Sequence, residues 1–254
     1  MLKTPSEETL KELRSKEWVV SWSGGKDSTA TLILMRKYQI PIKDIFYVRM
    51  MYDDTLAATT PEMTQFVDKC IKILNSWGYK VNVIKSEKTA MDLANAVCLK
   101  SKVESRNNKK YGMRYFCRRA CQFQSVKQST IERNIKVKDD YQMIGYAVDE
   151  TERLHRLDDK RKSILQICNV KESDTFNICL NEGMLAPIYI DGYGRDGCFF
   201  CPNCSNREIK IFKKQHPELV TKIYDMIEMA EQDLSGLSAV NNWIKDYYSE
   251  KGKK

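Results

Sequence analysis

Residues 18–29 read Trp18-Val19-Val20-Ser21-Trp22-Ser23-Gly24-Gly25-Lys26-Asp27-Ser28-Thr29, and this stretch decides the fold. The first five residues, mostly apolar and β-prone, predict a buried strand, and the run that follows to about Lys37 predicts a helix. Two glycines at the joint permit a tight turn and let backbone N–H groups approach an oxyanion. The helix N-terminus adds its dipole, while Ser23, Ser28 and Thr29 add hydroxyl donors. Lys26 supplies a compact positive charge suited to a phosphate. The loop is not the G-x-x-x-x-G-K-[ST] type that holds β- and γ-phosphates, because the first glycine is absent.

The alternation continues outward. Ile45–Met50, Lys80–Ile84 and Tyr141–Tyr146 read as further strands. Helices are expected from Thr60 to about Trp77, with Gly78 as the stop, over Glu87–Leu99, and from about Arg118 to Arg133. Strands alternating with helices predict an α/β fold, a parallel sheet with helices on both faces. Upstream, Thr4-Pro5-Ser6-Glu7 predicts a capping box with Pro5 at the first helical position. After Lys171 the texture changes. Ser173 is expected to cap a helix ending at Gly183, followed by a Gly- and Cys-rich loop and then helical segments. The expected organisation is a nucleotide-binding α/β domain over 1–170 and a Cys-rich and helical region over 171–254, packed on the first.

Composition narrows the class. The 254 residues are 42% hydrophobic and 30% charged, enough to close a core in a water-soluble chain. No apolar run approaches the ~20 residues of a bilayer span, and the first residues lack the apolar core of a secretory signal. A cytoplasmic chain without membrane association is expected. Net charge is +8, and Lys100–Asp140 alone holds 12 Lys and Arg against 4 Asp and Glu. That segment can attract a polyanion, a nucleotide or a nucleic-acid acceptor, or be a solvated face. With two histidines in the chain, a site built on several histidines is excluded.

Nine cysteines without a secretory signal argue against a disulfide framework. Cys70, Cys98, Cys168 and Cys179 lie singly in apolar patterns and read as small buried hydrophobes. Cys117 with Cys121, and Cys198 with Cys201 and Cys204, form two groups. Cys198-x-x-Cys201 places two thiolates on one tight turn, half of a tetrahedral or cubane site, and Cys117 and Cys121 at i and i+4 could supply the other half. Phe199 and Phe200 are expected to shield the site, and Pro202 keeps the loop from becoming a helix. Ligand type admits an iron–sulfur cluster, Zn²⁺ or no metal.

Ser23 to Ser28 resembles the SGGxDS loop of the PP-loop ATP pyrophosphatase superfamily, with its adenine nucleotide alpha hydrolase-like, Rossmann-like fold. Tyr52-Asp53-Asp54-Thr55 is similar to the family's D-T-G segment, with Leu56 where Gly is usual, and Thr60-Pro61-Glu62-Met63 to the helix start after it. Ile144-Gly145 through Glu150 and Arg153 resembles the G-x-R-x-x-E-S-x-x-R motif, with Ala147 in place of its basic residue. Asn181-Glu182-Gly183, Pro187-Ile188-Tyr189, Gly192-Tyr193, Arg195 and Gly197-Cys198 through Cys201 resemble the end of the phosphoadenosine phosphosulfate (PAPS) reductase family. His216-Pro217-Glu218-Leu219 is similar to a helix start in its phage and archaeal relatives.

The resemblance implies an enzyme that binds ATP or an adenylyl sulfonucleotide with Mg²⁺. Ser23, Gly24, Gly25, Lys26, Asp27, Ser28, Thr29, Asp54, Thr55, Gly145 and Glu150 would hold the nucleotide. Lys26 and Ser28 would stabilise departing pyrophosphate, and Arg153 would orient the anionic end of the substrate. Relatives hold a [4Fe-4S] cluster with such cysteines, and Zn²⁺ is the alternative; homodimers are common among them. The reductases attack sulfur with a cysteine in a C-terminal tail, whereas no cysteine follows Cys204 here. The leading expectation is therefore adenylation of an acceptor with pyrophosphate release in sulfur transfer. Sulfite-forming reduction through a non-tail cysteine is a second expectation, and a non-catalytic nucleotide or nucleic-acid binding module a third.

Overall fold

A computed structural model describes residues 3–96, 122–134, 140–194, 197–229 and 242–252. In chain order the elements are α1 (Glu7–Arg14), β1 (Trp18–Trp22), α2 (Lys26–Lys37), β2 (Ile42–Arg49), α3 (Pro61–Ser76) and β3 (Val81–Lys85). Then come α4 (Ala90–Ala94), α5 (Gln122–Asn134), β4 (Tyr141–Met143), α6 (Thr151–Leu154), β5 (Arg161–Lys162), α7 (Ile164–Ile167) and α8 (Glu172–Asn181). A 3-10 turn at Pro187–Tyr189 precedes α9 (Asn206–Gln215), α10 (Pro217–Glu228) and α11 (Asn242–Lys251). The α/β class expected from the alternation is the class observed.

The sheet has the order β3-β2-β1-β4-β5. β1 pairs in parallel with β2 on one side and β4 on the other, and β4 pairs in parallel with β5. The chain leaves β1 outward to β2 and β3, then returns to the opposite side of β1 for β4. The order therefore reverses between β1 and β4, and the loops leaving the carboxyl ends of these two strands flank the switch point. Open α/β sheets bind ligands at that position. Trp18, Val20 and Trp22 on one face of β1 and Val19 on the other are all buried, as a central parallel strand covered from both sides requires.

Two compact units share the chain. The first comprises Met1–Val48, Pro61–Ile84 and Thr130–Asp196; the second comprises Arg49–Thr60, Lys85–Ser129 and Gly197–Lys254. α8 and the 3-10 turn, which lie beyond the expected boundary at 170/171, belong to the first unit. Its core joins Trp18, Trp22, Leu32, Met35, Ile45 and Leu74 with Ile164, Leu165 and Cys179. The second unit has an aromatic core. Phe199 and Phe200 pack edge to face at 5.1 Å, Tyr52 lies 5.2 Å from Phe199, and Phe123 lies 5.4 Å from Phe200. Among the described residues no helix is long and apolar enough to cross a membrane.

Several local expectations change. Ser6, not Thr4, caps α1, its hydroxyl accepting from Thr9 N–H at 3.2 Å. Glu7 and Glu8 thereby occupy the first turn, where the helix dipole favours them. α8 starts at Glu172 rather than at a Ser173 cap, because the Asp174 carboxylate reaches back to Lys171 N–H at 3.1 Å. The helix expected over Glu87–Leu99 is the short α4, and positions from 97 lie outside the described residues. β4 ends at Met143 instead of Tyr146, because the next residues leave the sheet to cross the start of α2.

Candidate functional site

The joint between β1 and α2 is closed by its own hydroxyls. Ser28 Oγ accepts from Ser23 N–H at 3.1 Å, donates to Gly25 O at 3.1 Å and lies 3.0 Å from Ser23 Oγ. Ser23 Oγ in turn accepts from Gly25 N–H at 3.2 Å. Gly24 sits at φ +84°, a conformation that favours glycine. A Cβ there would also press on Val67 Cγ2 at 3.0 Å and Met63 Cε at 3.2 Å. Thr29 departs from the expectation that it offers a donor to a ligand. It is fully buried, and its hydroxyl accepts the Trp22 indole N–H at 2.9 Å, tying β1 to α2.

Helix α2 begins with Gly25 as N-cap, so the N–H groups of its first turn lack partners within the helix. Lys26 N–H donates to Tyr189 Oη at 3.3 Å, and Thr29 N–H to Gly25 O at 3.0 Å. Among the described residues no acceptor takes the N–H groups of Asp27 and Ser28. Gly145, on the loop after β4, is what leaves this end of the helix open. A Cβ at 145 would lie 2.9 Å from Ser28 N and from the Asp27 carbonyl carbon. The structure thus brings Ser23, Gly24, Gly25, Asp27, Ser28 and Gly145 together at the switch point, beside two unsatisfied donors and a helix dipole.

Lys26 is held on every polar handle by the segment from α8 to the 3-10 turn. Its ammonium bonds Glu172 at 2.8 Å and Asp27 at 3.0 Å. Its N–H meets Tyr189, and its carbonyl accepts the Cys179 thiol at 3.1 Å. Burial works against the Lys26 charge, but Glu172 and Asp27 outweigh it and hold the pKa above the ordinary lysine value. Thr175 Oγ1 lies 2.8 Å from Asp27 Oδ1, steadying that carboxylate. The lysine is charged and neutralised by two carboxylates, so an arriving phosphate would exchange with Glu172 rather than meet an unpaired cation. Glu172, Thr175, Cys179 and Tyr189 were not expected at the loop, and at 146 to 163 residues from Lys26 or Asp27 no local spacing signals them.

Glu150 and Arg153 pair with each other at the surface. Arg153 Nη1 bonds Glu150 Oε1 at 3.0 Å, with the Arg153 side chain 53% exposed, and Glu150 Oε2 accepts from Ala147 N–H at 3.1 Å. Both carboxylate oxygens are engaged, and they fix the turn after Gly145.

In the second unit, Asp54 and Thr55 lie in a turn organised by a neighbour, Asp53. One oxygen of Asp53 accepts from Thr55 N–H at 2.9 Å, Thr55 Oγ1 at 2.8 Å and Leu56 N–H at 2.7 Å. Burial alone would raise the Asp53 pKa; these donors prevail and lower it. Leu56 fits where a glycine is usual because its carbonyl and N–H close the turn, its carbonyl accepting from Tyr52 N–H at 2.8 Å.

Cys198, Cys201 and Cys204 ride on two successive turns. Cys201 N–H donates to Cys198 O at 3.0 Å and Cys204 N–H to Cys201 O at 3.1 Å. All three are partly buried. The thiols of Cys201 and Cys204 share a hydrogen bond, which, with burial, holds Cys204 far above the ordinary thiol pKa. Phe199 and Phe200 are core residues of the unit, 4% and 0% exposed, and so wall the turn from behind. Among the described residues no group of three or more His, Cys, Asp and Glu is placed to hold a metal ion. Cys117 and Cys121, and most of the basic 100–140 segment, lie outside the described residues. The paired thiols of Cys201 and Cys204, with the buried Trp243 indole beside Cys204, have the chemistry of half a thiolate site.

Comparison with curated proteins gave no match. Among solved structures, the U34-tRNA thiolase NcsA from Methanococcus maripaludis with its [4Fe-4S] cluster is similar over 91% of this chain and 84% of that chain. The identity is 16% and the TM-score 0.44. The family model for the phosphoadenosine phosphosulfate reductase domain matches residues 17–204, from the start of β1 to the last cysteine. The chain therefore belongs to the phosphoadenosine phosphosulfate reductase domain family.

Proposed function

We propose that the chain is a PP-loop enzyme that binds ATP, or a related adenylyl nucleotide, at the Ser23–Thr29 loop and transfers the adenylyl group to an acceptor. The observation that carries this reading is the open start of α2: two N–H groups without acceptors, uncovered by Gly145, at the switch point of the sheet. An acceptor nucleophile attacks the α-phosphorus, the bond to the bridging oxygen of the β-phosphate breaks, and pyrophosphate leaves. The Asp27 and Ser28 N–H groups and the Lys26 ammonium would meet the charge that gathers on that leaving group. Mg²⁺ would enter with the phosphates. Glu150 and Arg153 remain candidates for nucleotide contact within this reading.

The cysteine turn would hold the metal group, a [4Fe-4S] cluster or Zn²⁺, through thiolates drawn from Cys198, Cys201 and Cys204. A cluster would supply a place to bind or deliver sulfur after adenylation. Sulfite formation through an internal cysteine has less support. Cys179, beside Lys26, is buried and pushed up to about 12, and burial likewise raises Cys70 to about 12 and Cys168 to about 11. Such thiols are weak nucleophiles near neutral pH.

Pyrophosphate release from labelled ATP tests the loop, with tRNA, DNA and small-molecule acceptors offered in turn. Removing charge and donor together in a Lys26→Ala, Ser28→Ala variant should cut the rate by a factor on the order of 10² to 10³. An unchanged rate would remove the loop from the reaction. Iron, sulfide and zinc analysis of anaerobically purified protein tests the cysteine turn, with about four iron per chain expected for one cubane.

A further inference from the structure

The side chains at the Ser23–Thr29 loop carry an excess of negative charge, although the backbone there is built for an anion. One ammonium, Lys26, stands between two carboxylates, 3.0 Å from Asp27 and 2.8 Å from Glu172. A third carboxylate, Asp149, accepts the Glu172 N–H at 3.0 Å. The attraction left for a phosphate is that of the α2 dipole and the two open N–H groups of its first turn. The Lys26 charge is already answered from within the chain.

The two carboxylates on Lys26 differ in how firmly they are held. Asp27 adjoins the lysine on α2, and its carboxylate lies 2.8 Å from the hydroxyl of the fully buried Thr175. The Glu172 carboxylate accepts, among the described residues, from Lys26 alone. Its side chain is 56% exposed, while the Lys26 side chain that it covers is 13% exposed. Asp149 fixes the Glu172 backbone separately, so the side chain can turn out to water without disturbing α8. As the first residue of α8, Glu172 keeps its favourable place at the helix dipole in either position. Glu172 is therefore the cover over Lys26 that can lift, and Asp27 the partner that stays.

We propose that Glu172 is an internal competitor for the phosphate place, its carboxylate holding the Lys26 ammonium until the polyphosphate chain of a nucleotide displaces it. This rests on the reading of the loop as a nucleotide site given above, and adds a regulating contact to it. A ligand that binds only when Lys26 is uncovered has its apparent affinity reduced by the fraction of time the cover is lifted. For an ion pair with one half-exposed partner, that reduction is about 3- to 10-fold. Glu172 thus sets how much nucleotide the loop needs before Lys26 joins the pyrophosphate group.

The test compares the full wild-type chain with Glu172→Gln, which keeps the size of the side chain and removes its charge. Amine acylation with acetic anhydride, read at Lys26 by peptide mass, needs no nucleotide. Lys26 should react about 3- to 10-fold faster in the variant, because the ammonium is uncovered and gives up its proton more readily. Calorimetric titration with Mg²⁺–ATP, and separately with inorganic pyrophosphate, should show tighter binding to the variant by about the same factor. The sign is decisive, since a glutamate that merely braced Lys26 in position would weaken binding when lost. Equal or weaker binding by Glu172→Gln, or unchanged Lys26 reactivity, would each overturn the proposal. Faster Lys26 acylation with neither ligand bound by either chain would instead sink the nucleotide reading, and the proposal with it: the cover would be real and its competitor misidentified.

Discussion

At the scale of single residues, the phosphate loop depends on what Gly145 lacks. The loop from β4 passes so close over α2 that a methyl group there would stand 2.9 Å from Ser28 N and 3.0 Å from Asp27 O. Those are backbone atoms within a helix turn, which cannot rotate away as a side-chain tip can. Gly145→Ala should therefore force β4 and α2 apart, costing about 1–3 kcal/mol as overpacking does, and block the N–H groups to which pyrophosphate would bond. The expected outcome is a lower urea midpoint together with loss of pyrophosphate release. A variant of wild-type stability and rate would show that the two segments can part by the width of a methyl group without cost. Gly24→Ala differs in kind, because its contacts are the ends of Val67 and Met63, and its cost lies mainly in a positive φ.

At the scale of elements, long periodic or sharply punctuated segments were legible in the sequence. β1 runs over the five residues expected of it, α2 ends at Lys37, and α10 starts with Pro217 at the position its His216-Pro217-Glu218 signal implies. β5, with the two polar residues Arg161 and Lys162, has no period to read, and α6 and α7 are single turns of four residues. The candidate site divides in the same way. The Ser23–Ser28 loop is local and readable, whereas its braces at Glu172, Thr175 and Tyr189 are contacts made by the fold. Thr29 misleads because a hydroxyl in the first turn of a helix looks alike whether it faces a ligand or, as here, Trp22. A readable feature also follows the cysteine turn. Ser205 Oγ accepts from Glu208 N–H at 3.2 Å and Glu208 Oε2 from Ser205 N–H at 2.7 Å, a reciprocal cap that starts α9 one residue after Cys204. Ser205→Ala should lower unfolding stability by about 1 kcal/mol, and Ser205→Asp should restore most of it. Equal urea midpoints for the alanine variant and wild type would mean that the packing of Ile209 and Phe212 alone secures the helix start.

At the scale of the whole molecule, the titrating groups of both units lean the same way. In the first unit burial raises Cys70 and Cys179 to about 12 and Cys168 to about 11, and Glu172 with Asp27 raises Lys26 against the effect of its burial. In the second unit burial raises Tyr52 to about 12, and burial together with the Asp246 hydrogen bond raises Tyr224 to about 12. Lys213, despite its burial, is raised by Asp246 and Tyr224. Every one of these groups holds its proton more tightly when folded. Their contribution is therefore complete below the unfolded values, which begin at 9.0 for cysteine and continue through 10.0 for tyrosine and 10.5 for lysine. As pH rises through that range the unfolded chain releases protons first, and the folded chain loses stability by about 1.4 kcal/mol per pH unit for each proton it alone retains. The urea midpoint should be level from pH 7 to about 8.5 and fall with growing steepness from there to pH 11. A midpoint still level at pH 11 would mean that these thiols, phenols and ammonium groups titrate in the folded chain as they do in the unfolded one. In that case neither the burial of Cys179 behind Lys26 nor the carboxylate pair around the Lys26 ammonium would hold in solution.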